Sequence, residues 1–189
     1  MEKNIHYFWA VQLPDDMKQH IQDEMQNLKP FFKFKRWVHE SDYHITLAFL
    51  GAMDEQKRHS IIDIVGNSIK GEKAFNLKVQ GINIFGNPKS PRIFWGAIQH
   101  EDTLLKLQSI VQQSCLDAGF ILDSRPYQPH ITLAKKWGGY EEFNPELLER
   151  NNPFYDKPLS FIADRIVLYR TNLEKEPKYE AVETFRLLN

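Results

Sequence analysis

The chain has 189 residues, with 24 Lys and Arg against 25 Asp and Glu, 42% hydrophobic residues, 13% aromatic residues and a net charge of −1. This composition suits one folded domain or two small lobes and excludes a disordered or low-complexity chain. It also lacks the basic excess of a protein that coats long duplexes, while leaving an RNA end or a nucleotide as a fitting partner.

The chain opens Met1-Glu2-Lys3-Asn4, which does not read as a signal peptide. Ile5 to Leu13 is aromatic and β-branched and predicts a strand, followed by Pro14 and by Asp15 and Asp16 as helix-capping residues. Met17, Ile21, Met25 and Leu28 recur at helical spacing. Lys29 to Trp37 reads as a basic, aromatic connector. Tyr43 to Leu50 predicts a strand closed by Gly51, and Asp54 to Lys70 a helix with Ile61, Ile62, Val65 and Ile69 inward. Ala74 to Phe85 and Arg92 to Gln99 predict strands around a turn at Gly86-Asn87-Pro88. Glu101 to Ala118 predicts a helix with Gly119 at its C-cap. A strand runs from the second motif below to about Lys136, and Gly138 to Pro158 is loop with a helical turn near Pro145 to Arg150. Ile162 to Thr171 and Tyr179 to Leu188 read as closing strands, a hairpin if they pair. Helices set apart from a largely antiparallel sheet make an α+β fold. No apolar stretch reaches the roughly 20 residues of a membrane helix, so no membrane partner is expected. The single cysteine, Cys115, sits among Ile110, Val111 and Leu116, excludes an internal disulfide and fits a buried thiol in a reducing cytoplasm.

The most informative feature is a repeat. His44-Ile45-Thr46-Leu47-Ala48 recurs as His130-Ile131-Thr132-Leu133-Ala134, about half a chain length apart. The residues are strand formers, so the His and Thr of each copy share one face while the Ile and Leu enter a core. The simplest arrangement is bilobal: two pseudo-equivalent lobes with the motif strands facing each other across a cleft. A lone strand histidine is more often structural, and His6, His20, His39, His59 and His100 are read that way. Duplication in identical local sequence sets His44 and His130 apart. Metal binding is the rival reading, but His-Glu-x-x-His, Cys-x-x-Cys and His-x-His are all missing and threonine is a poor ligand, so no metal or other cofactor is expected. With an ordinary pKa near 6.5, one imidazole can accept a proton while the other donates one. The Thr46 and Thr132 hydroxyls can hold the oxygens of a phosphate ester.

At these residues the chain resembles the two-histidine phosphoesterase superfamily, whose two H-x-T-x motifs match His44-Ile45-Thr46-Leu47 and His130-Ile131-Thr132-Leu133. The context is similar to the LigT-like bacterial branch, the RNA 2′,3′-cyclic phosphodiesterases. Gln12-Leu13-Pro14, His44 to Gly51, Arg125-Pro126-Tyr127-Gln128-Pro129 and Leu168-Tyr169-Arg170 carry that similarity across nearly the whole chain. The resemblance implies one bilobal domain over residues 1–189 with both histidines in a central cleft. It implies hydrolysis of RNA 2′,3′-cyclic phosphate ends to 2′-phosphomonoesters, with His44 as proton donor and His130 as acceptor, and no obligate protein partner. Relatives in the branch are also linked to 2′,5′ RNA ligation. A cyclic phosphate derived from a nucleotide, a 2′,5′-linked oligonucleotide, or a nucleotide-binding module without turnover are the alternatives; an intact acid–base pair speaks against the last.

Arg125, five positions before His130, reads either as a phosphate clamp or as a solvated residue at the start of the strand. Lys135 should point away from Thr132 if its strand is regular, which weakens its reading as a phosphate ligand. Tyr127, Phe94 and Trp95 either line a base pocket or pack in the core. Lys33, Lys35 and Arg36, interleaved with Phe31, Phe32, Phe34 and Trp37, suit single-stranded RNA as well as a core-packed connector with solvated lysines.

Overall fold

The computed structural model describes residues 5–189; Met1 to Asn4, and with them the reading of the chain's start, lie outside. Strands β1 (His6–Gln12), β2 (Phe34–Trp37), β3 (His44–Ala52), β4 (Phe75–Asn87), β5 (Ser90–Ile98), β6 (His130–Trp137), β7 (Leu159–Ala163), β8 (Arg165–Thr171) and β9 (Tyr179–Arg186) are all antiparallel to their partners. Helices α1 (Asp15–Leu28), α2 (Glu55–Ser68), α3 (Asp102–Asp117) and the short α4 (Glu146–Arg150) complete the α+β fold.

The spatial order is β7-β4-β5-β6-β3-β1-β8-β9, with β2 on β6. It divides into two lobes, β7-β4-β5-β6 with β2, and β3-β1-β8-β9. The motif strands β3 and β6 lie at the junction, registered through the single pair Ile45 and Ile131. Tyr7 to Val11 of β1 are buried on both faces, as the uninterrupted apolar sequence requires of an inner strand. The outer strand β9 instead carries Glu180, Glu183 and Arg186, charges that discourage edge-to-edge pairing.

The helices cover the face into which Ile45, Leu47, Ile131 and Leu133 point. In α1, Met17, Ile21, Met25 and Leu28 are buried as their spacing predicts. Asp54 caps α2, its carboxylate accepting the Lys57 N–H at 2.8 Å. Ile61, Val65 and the following Ile69 are buried, whereas Ile62 is only partly so. Gly66 of α2 is required for close packing, since a Cβ there would stand 2.7 Å from the Phe185 ring of β9. Helix α3 is tied to β3, with Gln108 Nε2 donating to the Leu47 carbonyl at 3.3 Å, and ends at Gly119, whose φ of 76° is left-handed. Cys115 is fully buried on α3, and burial pushes its thiol up to about 12. Among the described residues no helix is long and apolar enough to cross a membrane.

Three sequence-based boundaries need correction. The Lys29 to Trp37 connector contains the strand β2, too short and too charged to show a strand pattern. Ile162 to Thr171 is not one strand: the chain turns at Asp164, so β7 pairs with β4 while β8 pairs with β1. The turn between β4 and β5 lies at Pro88-Lys89, two residues later than its Gly-Asn-Pro signal begins. The closing hairpin is formed by β8 and β9.

Candidate functional site

The two motifs are held by the same local device. His44 Nδ1 lies 2.7 Å from the Asp42 carbonyl, and His130 Nδ1 lies 2.7 Å from the Gln128 carbonyl. A carbonyl can only accept, so each Nδ1 carries its proton and each Nε2 is left as the acceptor of the neutral ring. Both carbonyls stand two residues before their histidine, so one backbone turn fixes tautomer and ring direction twice.

Strand alternation then presents Thr46 and Thr132 beside the rings. Counting out from the Ile45–Ile131 pair sets His44 level with Thr132 and Thr46 level with His130. Both motif strands bulge at the same point of the pentapeptide. On β3 the register passes from Thr46 opposite Ala10 to Ala48 opposite Trp9, leaving Leu47 without a partner. On β6 it passes from Thr132 opposite Trp95 to Ala134 opposite Phe94, leaving Leu133 without one. A bulge inserts one residue and flips the alternation beyond it. Leu47 and Ala48 are therefore both buried, as are Leu133 and Ala134, and the next residues, Phe49 and Lys135, swing back to the cleft. Lys135 thus lies on the same side as Thr132, contrary to the regular-strand expectation.

His44, Thr46, Thr132 and Lys135 line a cavity of about 230 Å³ with Phe8, Val38, Asp42, Phe49, Thr171 and Tyr179. A larger hollow of about 440 Å³ lies elsewhere, around Lys78, Gln99, His100 and Ser160. It contains no motif residue, and its only imidazole is paired with Asp102. The smaller cleft is therefore the better site on chemical grounds.

The two imidazoles differ in their surroundings. His44 packs among Phe8, Tyr179 and Tyr169, with ring centroids 4.8, 5.2 and 6.0 Å away. Burial in that aromatic box pulls its pKa down to about 4, against the support of the Asp42 carbonyl, and the charges of Lys135 and His130 push the same way. Its Nε2 stands 3.1 Å from Thr46 Oγ1, which donates to it while the ring is neutral. His130 meets Phe85 and Trp95 at 5.1 and 5.7 Å. Burial lowers its pKa as well, opposed by the Gln128 carbonyl.

Asp42, which sequence reasoning did not single out as a site residue, joins two parts of the cleft. Its carbonyl holds His44, while its carboxylate, 4% exposed, accepts the Lys178 N–H at 2.9 and 3.0 Å and the Tyr179 N–H at 3.0 Å. The start of β9, and with it the Tyr179 ring against His44, is thereby fixed from the first motif. The only signal in the sequence was an acid two residues before a motif histidine.

The auxiliary residues fall apart into separate roles. Tyr127 OH donates to the Thr46 carbonyl at 3.0 Å, strapping the arm before the second motif onto the first motif strand. Burial pushes its phenol well above the usual range. Arg125 is not brought to the cleft: its guanidinium is 84% exposed and paired with Asp123. Phe94 is core, stacked with Phe32 and Phe34. Trp95 is buried against Phe85 and reaches the site only through the edge of His130. Among the described residues no group of three or more His, Cys, Asp and Glu is disposed to hold a metal ion.

A family model described as "LigT like Phosphoesterase" matches the chain twice, over residues 11–95 and 97–179, one copy for each motif. The chain is 42% identical over 186 residues to an RNA 2′,3′-cyclic phosphodiesterase of Geobacillus stearothermophilus, covering 98% of this chain but 58% of that protein's length. It is 35% identical over 182 residues to the RNA 2′,3′-cyclic phosphodiesterase of Bacillus subtilis, covering 96% of each. The fold is similar to that of E. coli LigT complexed with 3′-AMP, with a TM-score of 0.78, 20% identity and coverage of 99% of this chain and 100% of that one. The protein TT0787 of Thermus thermophilus has a TM-score of 0.77 at 22% identity, covering 96% and 97%. At such identities the structural likeness is one of fold.

Proposed function

The chain belongs to the LigT-like phosphoesterase family, and from that premise we propose that it hydrolyses the 2′,3′-cyclic phosphate ends of RNA to 2′-phosphomonoesters. The observation that carries the proposal is the doubled device: two imidazoles, each with Nδ1 tied to a carbonyl at 2.7 Å, on the registered strands β3 and β6. The relatives' names as RNA 2′,3′-cyclic phosphodiesterases support the choice of substrate. We propose a single catalytic unit over residues 1–189 and, from the buried lone Cys115, a reducing cytoplasmic setting.

The cyclic phosphate sits between the motifs, its non-bridging oxygens held by the Thr46 and Thr132 hydroxyls and the Lys135 ammonium. His130 Nε2 takes a proton from water as the water oxygen bonds to phosphorus. The bond from phosphorus to the 3′-oxygen breaks, and His44 gives its Nε2 proton to that oxygen. Exchange with solvent then returns each histidine to its starting state. No metal enters these steps, since the two imidazoles supply both proton transfers. In the free protein burial favours the neutral form of His44, and the substrate's phosphate anion, which favours the imidazolium, draws onto it the proton that the histidine pair shares. Protonation of Nε2 also ends its role as acceptor for Thr46, and the freed hydroxyl turns to the phosphate. The family resemblance chooses the 3′-oxygen as leaving group; the aromatic box around His44 and the different one around His130 support a single bound orientation.

Incubation with an RNA bearing a 2′,3′-cyclic phosphate, followed by phosphorus NMR, tests the reading. A 2′-phosphate is expected. A 3′-phosphate would reverse the assignment of donor and acceptor, a mixture would remove the fixed orientation, and an untouched ring would end the proposal.

A further inference from the structure

Lys135 is not alone at the cleft mouth. Arg36 of β2 is its register partner across the β2–β6 pair, and Lys178, just before β9, reaches the same region from the other lobe. Both cations act on Lys135 strongly enough to lower its pKa, after the larger effect of burial. Two positive charges from the paired strands β2 and β6, and a third from the segment before β9, therefore gather beside one opening.

Convergence of like charge opposes folding unless something offsets it. Some of the chain's cations are offset in ion pairs: Arg165 with Asp164, Arg150 with Glu146, and both Arg170 and Lys175 with Glu180. Among the described residues neither Arg36 nor Lys178 forms such a pair. The acid that acts on Lys135 is Asp42, and its carboxylate oxygens are already taken by the Lys178 and Tyr179 N–H groups.

We infer that Arg36 and Lys178 form a second anion site, holding a phosphodiester of the RNA chain upstream of the cyclic end. The inference rests on the proposed reaction and narrows its substrate to an oligonucleotide rather than a free cyclic mononucleotide. One phosphate in the cleft, held by the threonines and Lys135, leaves the other two cations unanswered. Arg36 and Lys135 stand on neighbouring strands about 4.8 Å apart, so the long Arg36 side chain can reach past the first phosphate to the next one of a chain. The grip is by charge. Phe32 and Phe34, which alternate with the lysines of this segment, are spent in the core, with rings 4.8 and 5.3 Å from Phe94.

The test compares kcat/KM for a 2′,3′-cyclic nucleoside monophosphate and for a short RNA with a 2′,3′-cyclic end. The wild-type chain should prefer the RNA about tenfold or more. Arg36→Gln with Lys178→Gln should cancel that preference while changing mononucleotide turnover less than twofold. Lys178→Gln keeps the backbone N–H that Asp42 holds, so the fold is spared. The slope of log(kcat/KM) against log salt for the RNA should become shallower by about 0.7, the value for one single-strand phosphate. A wild-type chain indifferent to RNA length, or a double variant that keeps the preference, overturns the inference. Should the wild type hydrolyse neither substrate, the proposed reaction fails. Fluorescence anisotropy of a labelled RNA ending in a 3′-phosphate then decides the site separately: weaker, less salt-sensitive binding by the double variant supports it, and equal binding refutes it.

Discussion

The environment of His44 makes a quantitative demand on the pH dependence of the reaction. Burial holds His44 near 4 and places His130 below its ordinary 6.5. The two rings interact, so their titration belongs to the pair, but both steps lie on the acid side of 6.5. The reactive free form carries one proton between them. Its population is highest between the two steps and falls tenfold per pH unit above the upper one. At pH 8 the shortfall from the 6.5 ceiling is at least 1.5 units, so kcat/KM should be down by about 30-fold or more from its plateau. The sign follows from burial opposing charge: a lowered histidine pKa moves the basic limb to lower pH. In kcat, which reports the bound complex, the plateau should reach higher pH because the substrate phosphate favours the imidazolium. Lys135→Gln removes a cation that pushes His44 down, and the acid limb should move up. Steady-state kinetics at constant ionic strength from pH 4.5 to 9 gives both profiles. A level kcat/KM from pH 6 to 8.5 would refute the pairing of these histidines as acid and base.

His44→Ala and His130→Ala should each lower turnover by about 10² to 10⁴ in single-turnover assays, with the double variant little worse because the pair acts as a unit. Full activity in the double variant would remove the assignment; Thr46→Ala and Thr132→Ala should cost less than either histidine. Asp42→Ala leaves the Lys178 and Tyr179 N–H groups without their carboxylate. At about 1.5 kcal/mol for each hydrogen bond to a charged acceptor, the chain should lose about 3 kcal/mol against urea, and an unchanged midpoint would contradict the role given to Asp42. EDTA should leave hydrolysis unchanged; loss of activity restored by one divalent ion would point to metal chemistry instead.

The pentapeptide repeat was legible as two strands and as two His–Thr faces because strand alternation depends only on neighbours. Lys135 was misjudged because that alternation was carried past Leu133, where a bulge resets it. A bulge is decided by how β6 fits β5, not by the residues His-Ile-Thr-Leu-Ala alone. The same lesson covers Phe49 on β3. Arg125 looked apt by position, but nearby Asp123 claims it. The split of β7 from β8 was hidden because Ile162 to Thr171 is a nearly continuous apolar pattern, and only Asp164, which pairs with Arg165, marks the corner. Asp42 could not be weighed, since its partners Lys178 and Tyr179 lie 136 and 137 residues further along the chain.

The repeats in sequence and the lobes in space do not coincide. Strand β4 and most of β5 lie within the first matched repeat, yet they are built into the sheet of the second motif. Strands β8 and β9, from the far end of the chain, continue the sheet of the first motif beyond β1. The halves are dovetailed: no cut between the repeats leaves either sheet whole, and the spacing of the two imidazoles is framed by backbone from both ends of the chain. Damage to an outer strand of one sheet is therefore carried by covalent connection toward the opposite histidine.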